Sequence, residues 1–187
     1  MSMSTTLHHA TTQTRATQNA CTSSYALLPL HVAFLPQFHD EIKGAVDACL
    51  NLSPVGDCST GPHGPISDWD VSRVTDMKKM FYEARLFNQD LSKWNVREVK
   101  NMRNMFNGAE LFNQDLSSWN VGQVIDMSTM FKGATSFEQV LCGTAWVGSK
   151  ARKGNMFRDS PGSIATRSCF SPQDSVDLKS AVTECWR

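Results

Sequence analysis

The sequence lacks the residue patterns on which catalytic and metal-binding proteins depend. Its six cysteines form no C-x-x-C pair, and no histidine stands at zinc-ligand spacing from any of them, so a zinc site is not expected. No glycine-rich phosphate loop is present. We expect neither an enzyme nor a bound cofactor, because no histidine has a partner for nucleophilic or metal-assisted catalysis. The histidines are His8, His9, His31, His39 and His63.

Net charge is also missing. Lys and Arg together number 18, and Asp and Glu together number 18, so the formal net charge is zero. A balanced chain has no overall field that would attract nucleic acid or an anionic membrane surface. We therefore expect no nucleic-acid partner.

Long apolar runs are scarce as well. The nearest to one is YALLPLHVAFLPQF at residues 25–38, which Pro29 and His31 interrupt. Its apolar core falls short of the roughly 20 residues that a bilayer-spanning helix needs, so no membrane span is predicted. As a secretory signal it would follow a long segment in which Arg15 is the only Lys or Arg. A secretory signal and a misassigned start codon are the two interpretations of this segment.

What the sequence does contain is a close internal repeat. Trp69, Trp94 and Trp119 stand 25 residues apart, and a fixed period in this range is typical of proteins built from stacked repeats. Apolar residues recur with the same period after each tryptophan. They include Val71, Val96 and Val121; Met77, Met102 and Met127; Phe81, Phe106 and Phe131; and Phe87, Phe112 and Phe137.

Each repeat divides into two segments. LSKWNV alternates apolar and polar residues around Trp94 and Val96, which predicts a short strand. Apolar residues in 99–109 fall on one helical face, which predicts a helix of about three turns. A single repeat cannot bury its apolar face, whereas stacked repeats with parallel strands can. The predicted fold is therefore α/β, a short strand-helix solenoid.

The flanking segments differ from the repeats in composition. Residues 1–24 are rich in Thr, Ser, Gln and Asn, and we interpret residues 1–37 as a disordered or targeting N-terminus. Residues 38–63 are predicted to form a cap helix and loop, since Ile42, Val46 and Cys49 share one helical face. Residues 64–143 hold the three repeats. Residues 144–170 are a degenerate fourth unit with a C-terminal cap, in which NMF recurs at 155–157.

The last segment, 171–187, resembles the start of a second cap helix. VDLKSAVTEC at 176–185 aligns with DEIKGAVDAC at 40–49. We interpret the chain either as a fragment of a longer tandem array or as one in which this helix packs elsewhere.

The cysteines admit disulfides or buried thiols. Cys49 and Cys58 are close enough in sequence to join the cap helix to its loop. Cys142 and Cys169 are a second candidate pair, at the far cap. No role is assigned to Cys21 or Cys185.

The unit W-[DN]-V-x-x-V-x-[DN]-M-x-x-M-F, followed by F-[NE]-Q, resembles the repeat of BspA-like leucine-rich-repeat surface proteins. The resemblance is strong over residues 64–143 and weaker over 40–170. It implies a right-handed strand-helix solenoid, extracellular or at a cell surface, that serves adhesion or protein contact and has no enzyme activity. The third repeat departs from the pattern, because Glu138 and Val140 stand where the other repeats have Asn and Asp.

Two polar clusters invite sharper interpretations. One interpretation of the FNQD segments at 87–90 and 112–115 is a calcium ladder, but turn and inter-repeat hydrogen bonds suit their side chains better. Asp68 and Asp70 flank Trp69 without a nucleophile or histidine beside them, which favours a solvated pair over an acid-base site.

A surface remains as the candidate site. Polar residues on either side of each tryptophan should point outward and form one patch across the repeats, and solenoids usually bind partners on such a repeated face. We expect a non-catalytic module that binds protein or glycan at a cell surface, or alternatively a structural spacer that contacts neighbouring repeat modules. The candidate partner-binding residues are Asp68, Asp70, Lys93, Asn95, Arg97 and Asn120.

Overall fold

A computed structural model describes residues 34–167, which all fall within one compact unit, His31–Arg187. Its regular elements are few: helix α1 (His39–Leu52), a 3-10 turn (Ile66–Asp68), strand β1 (Val140–Leu141), helix α2 (Thr144–Val147) and strand β2 (Ser163–Ile164). The two strands pair in parallel, with Val140 opposite Ser163. Expectations for residues 1–33, for the second cap helix, and for Cys21, Cys169 and Cys185 lie outside the described residues.

Helix α1 lies where the sequence predicts a helix. Its buried face is Ile42, Ala45, Val46 and Cys49, and these residues belong to the same apolar core as the repeats. Glu41 accepts hydrogen bonds from the backbone N–H groups just before the helix, which satisfies donors that a helix start leaves without partners.

The loop after α1 is tied to the helix and to the first repeat. The predicted Cys49–Cys58 disulfide is present, with 5.5 Å between the two Cα atoms. Gln89 Nε2 in the repeat donates to Val55 O in this loop, at 3.1 Å. Phe34 also packs on the repeat, since its carbonyl accepts from Asp70 N and its ring lies 5.0 Å from that of Trp69. Phe34, which the sequence assigns to the N-terminal tail, therefore packs against the repeats.

Backbone hydrogen bonds join each repeat to the next. We define repeat 1 as residues 69–93, repeat 2 as 94–118, repeat 3 as 119–143 and the fourth unit as 144–167. In repeat 2, alternate N–H groups donate forward, from Met102 to Asp126 O, Asn104 to Ser128 O, Phe106 to Met130 O and Gly108 to Lys132 O, over 2.8–3.1 Å. Repeat 1 donates to repeat 2, and repeat 3 to the fourth unit, through the equivalent four groups.

This stretch differs from the helix predicted over 99–109. The structure has consecutive turns there, because the backbone switches to positive φ twice in each repeat. An α-helix cannot include such residues, and their side chains crowd the backbone unless the residue is glycine or, less readily, asparagine. The positive-φ pairs are Lys79 and Glu83, Asn104 and Gly108, Thr129 and Gly133, and Asn155 and Asp159.

The strand predicted at LSKWNV is also replaced by a turn. Parallel pairing does connect the repeats, but as single bridges further along the chain, joining Asp76 to Asn101, Asn101 to Asp126 and Asp126 to Arg152. Trp94 and Val96 nevertheless point inward as the alternation requires, because both are buried while Asn95 between them is exposed.

Aromatic side chains stack through the interior in register. Phe81, Phe106, Phe131 and Phe157 form one column, with neighbouring ring centroids 5.2–5.5 Å apart and planes within 4° of parallel. A second column of Phe87, Phe112 and Phe137 has centroids 5.9 Å apart. Like residues thus lie over like residues from one repeat to the next.

Trp94, Trp119 and Trp146 each donate a buried hydrogen bond to a backbone carbonyl 28 or 30 residues earlier in the chain. Trp119 Nε1 donates to Leu91 O at 2.9 Å, and Trp94 Nε1 donates to Ile66 O at the same distance. In the fourth unit Trp146 is displaced along the sequence, yet its Nε1 still reaches Leu116 O at 2.7 Å. The fourth unit therefore continues the stack despite its divergent sequence.

The indole bond is testable at Trp119. Trp119→Phe removes the donor to Leu91 O and leaves a small void, and we expect the free energy of unfolding to fall by about 1–3 kcal/mol, as for other buried hydrogen bonds. Urea denaturation monitored by far-UV circular dichroism measures the change. Leu111→Ala, at a half-exposed apolar side chain, is the control and should change stability by no more than about 0.5 kcal/mol. Equal effects in the two variants would contradict the role given to the indole.

The positive-φ positions predict a substitution that raises the free energy of unfolding. Thr129 has φ of 58°, which is strained for a β-branched residue, and the equivalent residue in repeat 2 is Asn104. Thr129→Asn should raise the free energy of unfolding by about 1 kcal/mol, because asparagine adopts this conformation more readily. Thr75→Asn, at an exposed threonine without positive φ, is the matched control. A loss of stability in Thr129→Asn would mean that the Thr129 hydroxyl bond to Asn104 Oδ1 outweighs the backbone strain.

Candidate partner-binding surface

All six candidate binding residues have exposed side chains, and four of them line one groove. Asp68, Asp70, Lys93 and Asn95 surround a groove of about 340 Å³ above Trp69 and Val71. Asn120 lines a second groove, of about 410 Å³, together with Thr144 of α2. The two grooves lie at equivalent places on repeats 1 and 3. Arg97 is exposed but lines neither groove.

The backbone under this surface is held by the candidate residues themselves. Asp70, Asn95 and Asn120 occupy the same position in successive repeats, and the Oδ1 atom of each accepts from the backbone N–H two residues later, at 2.9–3.3 Å. This local turn suits Asp and Asn in particular. One oxygen of each side chain is therefore committed to structure, and the second oxygen or the amide nitrogen is available to a ligand.

Charges of both signs meet in the first groove. Lys93 Nζ lies 4.0 Å from Asp68 Oδ1, and both side chains are largely exposed, so the pair contributes little to stability. Hydrogen bonds from the Ser72 hydroxyl and then from its backbone N–H lower the pKa of Asp70, and the nearby Arg73 acts in the same direction. Asp70 thus stays ionised to a lower pH than an ordinary aspartate, and the groove offers carboxylate acceptors beside an ammonium donor.

The FNQD segments bond between repeats, as the sequence predicts. Asn88 Oδ1 accepts from Asn113 N at 2.9 Å and from Gln114 Nε2 at 3.0 Å. Asn113 repeats both bonds to Glu138 N and Gln139 Nε2. Within residues 34–167, no group of three or more His, Cys, Asp or Glu side chains is placed to hold a metal ion.

One surface feature was missed in the sequence. Leu86 and Leu111 are equivalent residues of repeats 1 and 2, and both are half-exposed. Arg85 and Glu110 lie next to them and form an ion pair across the repeats, with nitrogen and oxygen 3.2 Å apart. The sequence holds a signal for this exposure. The leucines share the 25-residue period, but each directly precedes an inward-facing phenylalanine, so its side chain points outward.

The second proposed disulfide can be checked directly. Cys142 lies near Ser117, whose hydroxyl is 3.3 Å from Cys142 N, while Cys169 lies outside the described residues. The Cys142–Cys169 pairing therefore stays a prediction. Peptide mapping of protein from its native source under non-reducing conditions should recover one crosslinked peptide for Cys49–Cys58 and one for Cys142–Cys169. A Cys142 peptide linked to Cys21 or Cys185 would contradict the second pairing.

These features define a class of protein, one built from stacked 25-residue repeats with a capping helix. The family model described as "Mycoplasma protein of unknown function, DUF285" matches residues 53–165, and the chain belongs to that family. The match covers the cap loop, all three repeats and most of the fourth unit. No curated protein and no solved structure gives a significant match to the chain. Among the described residues, no helix has the length and apolar character that a membrane crossing requires.

Proposed function

We propose that the chain is a non-catalytic, BspA-like repeat module that binds a protein or glycan partner at a cell surface. In this proposal the stack is a short right-handed solenoid, and the partner lies across the grooves beside the tryptophans. The observation that carries the proposal is the groove over Trp69, where Asp68, Asp70, Lys93 and Asn95 converge.

The build of this face suits recognition, because a constant backbone displays variable side chains. The turn held by Asp70, Asn95 and Asn120 is the same in each repeat. Two residues before these positions the side chains are Asp68, Lys93 and Ser118, and two residues after them they are Ser72, Arg97 and Gly122. Changes at these exposed positions alter the surface without disturbing the interior, which is how repeat proteins acquire specificity.

The chemistry of the groove favours a polar ligand. Carboxylate and amide oxygens accept hydrogen bonds, and Lys93 Nζ and Asn95 Nδ2 donate them. Sugar hydroxyls both donate and accept, and an extended peptide offers alternating N–H and C=O groups. Either ligand could therefore satisfy both kinds of group in the groove.

The proposal is tested by binding of the labelled full-length chain to a glycan array and to a panel of purified extracellular-matrix glycoproteins. For any ligand found, Lys93→Glu and Arg97→Glu should weaken binding by about tenfold or more, since each reverses a charge on this face. Lys100→Glu, an exposed reversal outside both grooves, is the matched control. Unchanged binding in both test variants, or an equal loss in the control, would show that the partner does not bind across the two grooves.

Asn95 separates recognition from structure. Asn95→Asp keeps the oxygen that accepts from Arg97 N but removes the amide donor, so it should weaken ligand binding while leaving thermal stability nearly unchanged. Asn95→Ala removes both groups and should lower stability as well. If Asn95→Asp bound as tightly as the unaltered chain, the amide would have no part in recognition.

A structural spacer is the second candidate function. The outer edge of the fourth unit favours it, because that edge retains the backbone geometry with which repeats 1 to 3 each bind the next unit.

A further inference from the structure

The outer edge of the fourth unit presents a row of backbone donors. Lys153, Asn155, Phe157 and Asp159 correspond to the four residues of repeat 3 that donate to the fourth unit, namely Met127, Thr129, Phe131 and Gly133. Asn155 and Asp159 have the same positive φ, 55° and 62°, as their counterparts. Among the described residues, the four N–H groups of this row have no hydrogen-bond partner. We call residues 153–159 the donor edge.

The four N–H groups of the donor edge can each donate a hydrogen bond to an acceptor on a partner. Unpaired backbone N–H groups on an open edge are a template for another chain, and successive N–H groups that point the same way attract anions. Asn155, Arg158 and Asp159 are exposed, so a partner can reach the edge. The fitting ligand is one that offers carbonyl or carboxylate oxygens and no competing donors.

The basic residues around the donor edge favour an acidic partner over a neutral one. Residues 144–167 contain five basic residues, Lys150, Arg152, Lys153, Arg158 and Arg167, against the single acidic Asp159. Arg152 is paired with Asp126 of repeat 3, Arg158 with the neighbouring Asp159, and Lys153 Nζ is bonded to Ser149 O. Lys150 forms no ion pair within the described residues and is exposed.

The opposite end of the same chain has the opposite charge. Residues 34–63 contain four acidic residues, Asp40, Glu41, Asp47 and Asp57, against the single Lys43. Asp40 and Asp47 lie on the exposed side of α1, away from its buried face, where Asp47 Oδ1 accepts from Lys43 Nζ and leaves Oδ2 for a partner. Carboxylates are acceptors only, which is what the donor edge lacks.

We propose that the donor edge of one copy of the chain binds the acidic face of α1 of a second copy, head to tail. Such a contact joins two different surfaces and leaves one of each unused at the ends, so it adds further copies instead of closing into a dimer. The contact uses no residue of either groove, and its failure would leave the proposed binding function standing. For the second candidate function, a structural spacer, the contact names the partner as another copy of the chain.

Sedimentation velocity over a wide concentration range tests the proposal on the full-length chain. At low salt the weight-average mass should rise with concentration beyond that of a dimer, and at high salt the association should weaken by about tenfold or more because exposed charges are screened. A chain that stays monomeric at every concentration, or that stops at a dimer, would overturn the proposal.

A charge exchange gives the sharper test. Lys150→Glu/Arg158→Glu reverses the donor-edge end, and Asp40→Lys/Asp47→Lys reverses the face of α1. Each variant alone should be monomeric, because its substituted side chains face side chains of their own sign across the contact. An equimolar mixture should associate again, because the unaltered donor edge of one variant meets the unaltered α1 face of the other.

Lys100→Glu/Arg103→Glu, an equal charge change in the middle of the stack, is the matched control and should associate as the unaltered chain does. Circular dichroism of each variant verifies folding before the masses are compared. Failure of the mixture to associate, or loss of association in the control, would show that end-to-end charge complementarity does not drive the contact.

Discussion

The structure depends on one repeated constraint, the four forward backbone hydrogen bonds by which each unit binds the next. Their spacing fixes which N–H groups face the neighbouring unit and which close turns within the repeat. In repeat 2, Met102, Asn104, Phe106 and Gly108 donate outward, while Met105 and Asn107 donate to carbonyls three residues earlier. Every N–H group from 104 to 108 thereby has a partner in a segment with no regular helix or strand, as buried backbone requires. The 25-residue period is the interval at which this pattern can recur in register.

That register decides what the side chains can do. Because equivalent backbone atoms lie over one another, equivalent rings do too, and the columns of Phe81 and Phe87 follow from the turns and not from local propensity. The indoles then bond backward to carbonyls 28 residues earlier, from Trp94 to Ile66 O and from Trp119 to Leu91 O, so hydrogen bonds as well as apolar packing hold each unit on the part of the stack that precedes it. A substitution in one repeat is therefore felt by its neighbours, which explains why the interior positions are so similar from repeat to repeat.

The sequence predicts which side chains make contacts better than it predicts the backbone conformation of the repeats. The inward positions, the cap helix, the Cys49–Cys58 bond and the inter-repeat role of Asn88 and Asn113 were all predictable, because each follows from spacing or from a side chain's hydrogen-bonding capacity.

The turns over 99–109 were not predictable from the sequence. Residues at intervals of three and four mark one face of a helix, but they also mark one face of consecutive three-residue turns, and periodicity cannot separate the two. Gly108 and Gly133 mark positive φ inside these turns. The exposure of the candidate binding residues was predictable, but the gathering of five of them into two grooves was not, since it depends on how neighbouring repeats pack.

The departures in the third repeat show how the interior and the surface are separated. In repeats 1 and 2, Asp90 and Asp115 accept from Ser92 N and Ser117 N and so turn the chain toward the next tryptophan. Val140 replaces that aspartate and cannot accept a hydrogen bond through its side chain, and the chain there runs extended as β1 against β2. Helix α2 then carries the displaced Trp146 back over Leu116 O. The fourth unit therefore keeps the indole bond, the phenylalanine column and the donor edge, although the chain enters it without the aspartate turn that precedes Trp94 and Trp119. Stacking rests on residues other than those of the candidate binding surface, so that surface can be altered in this fold while the stack is kept.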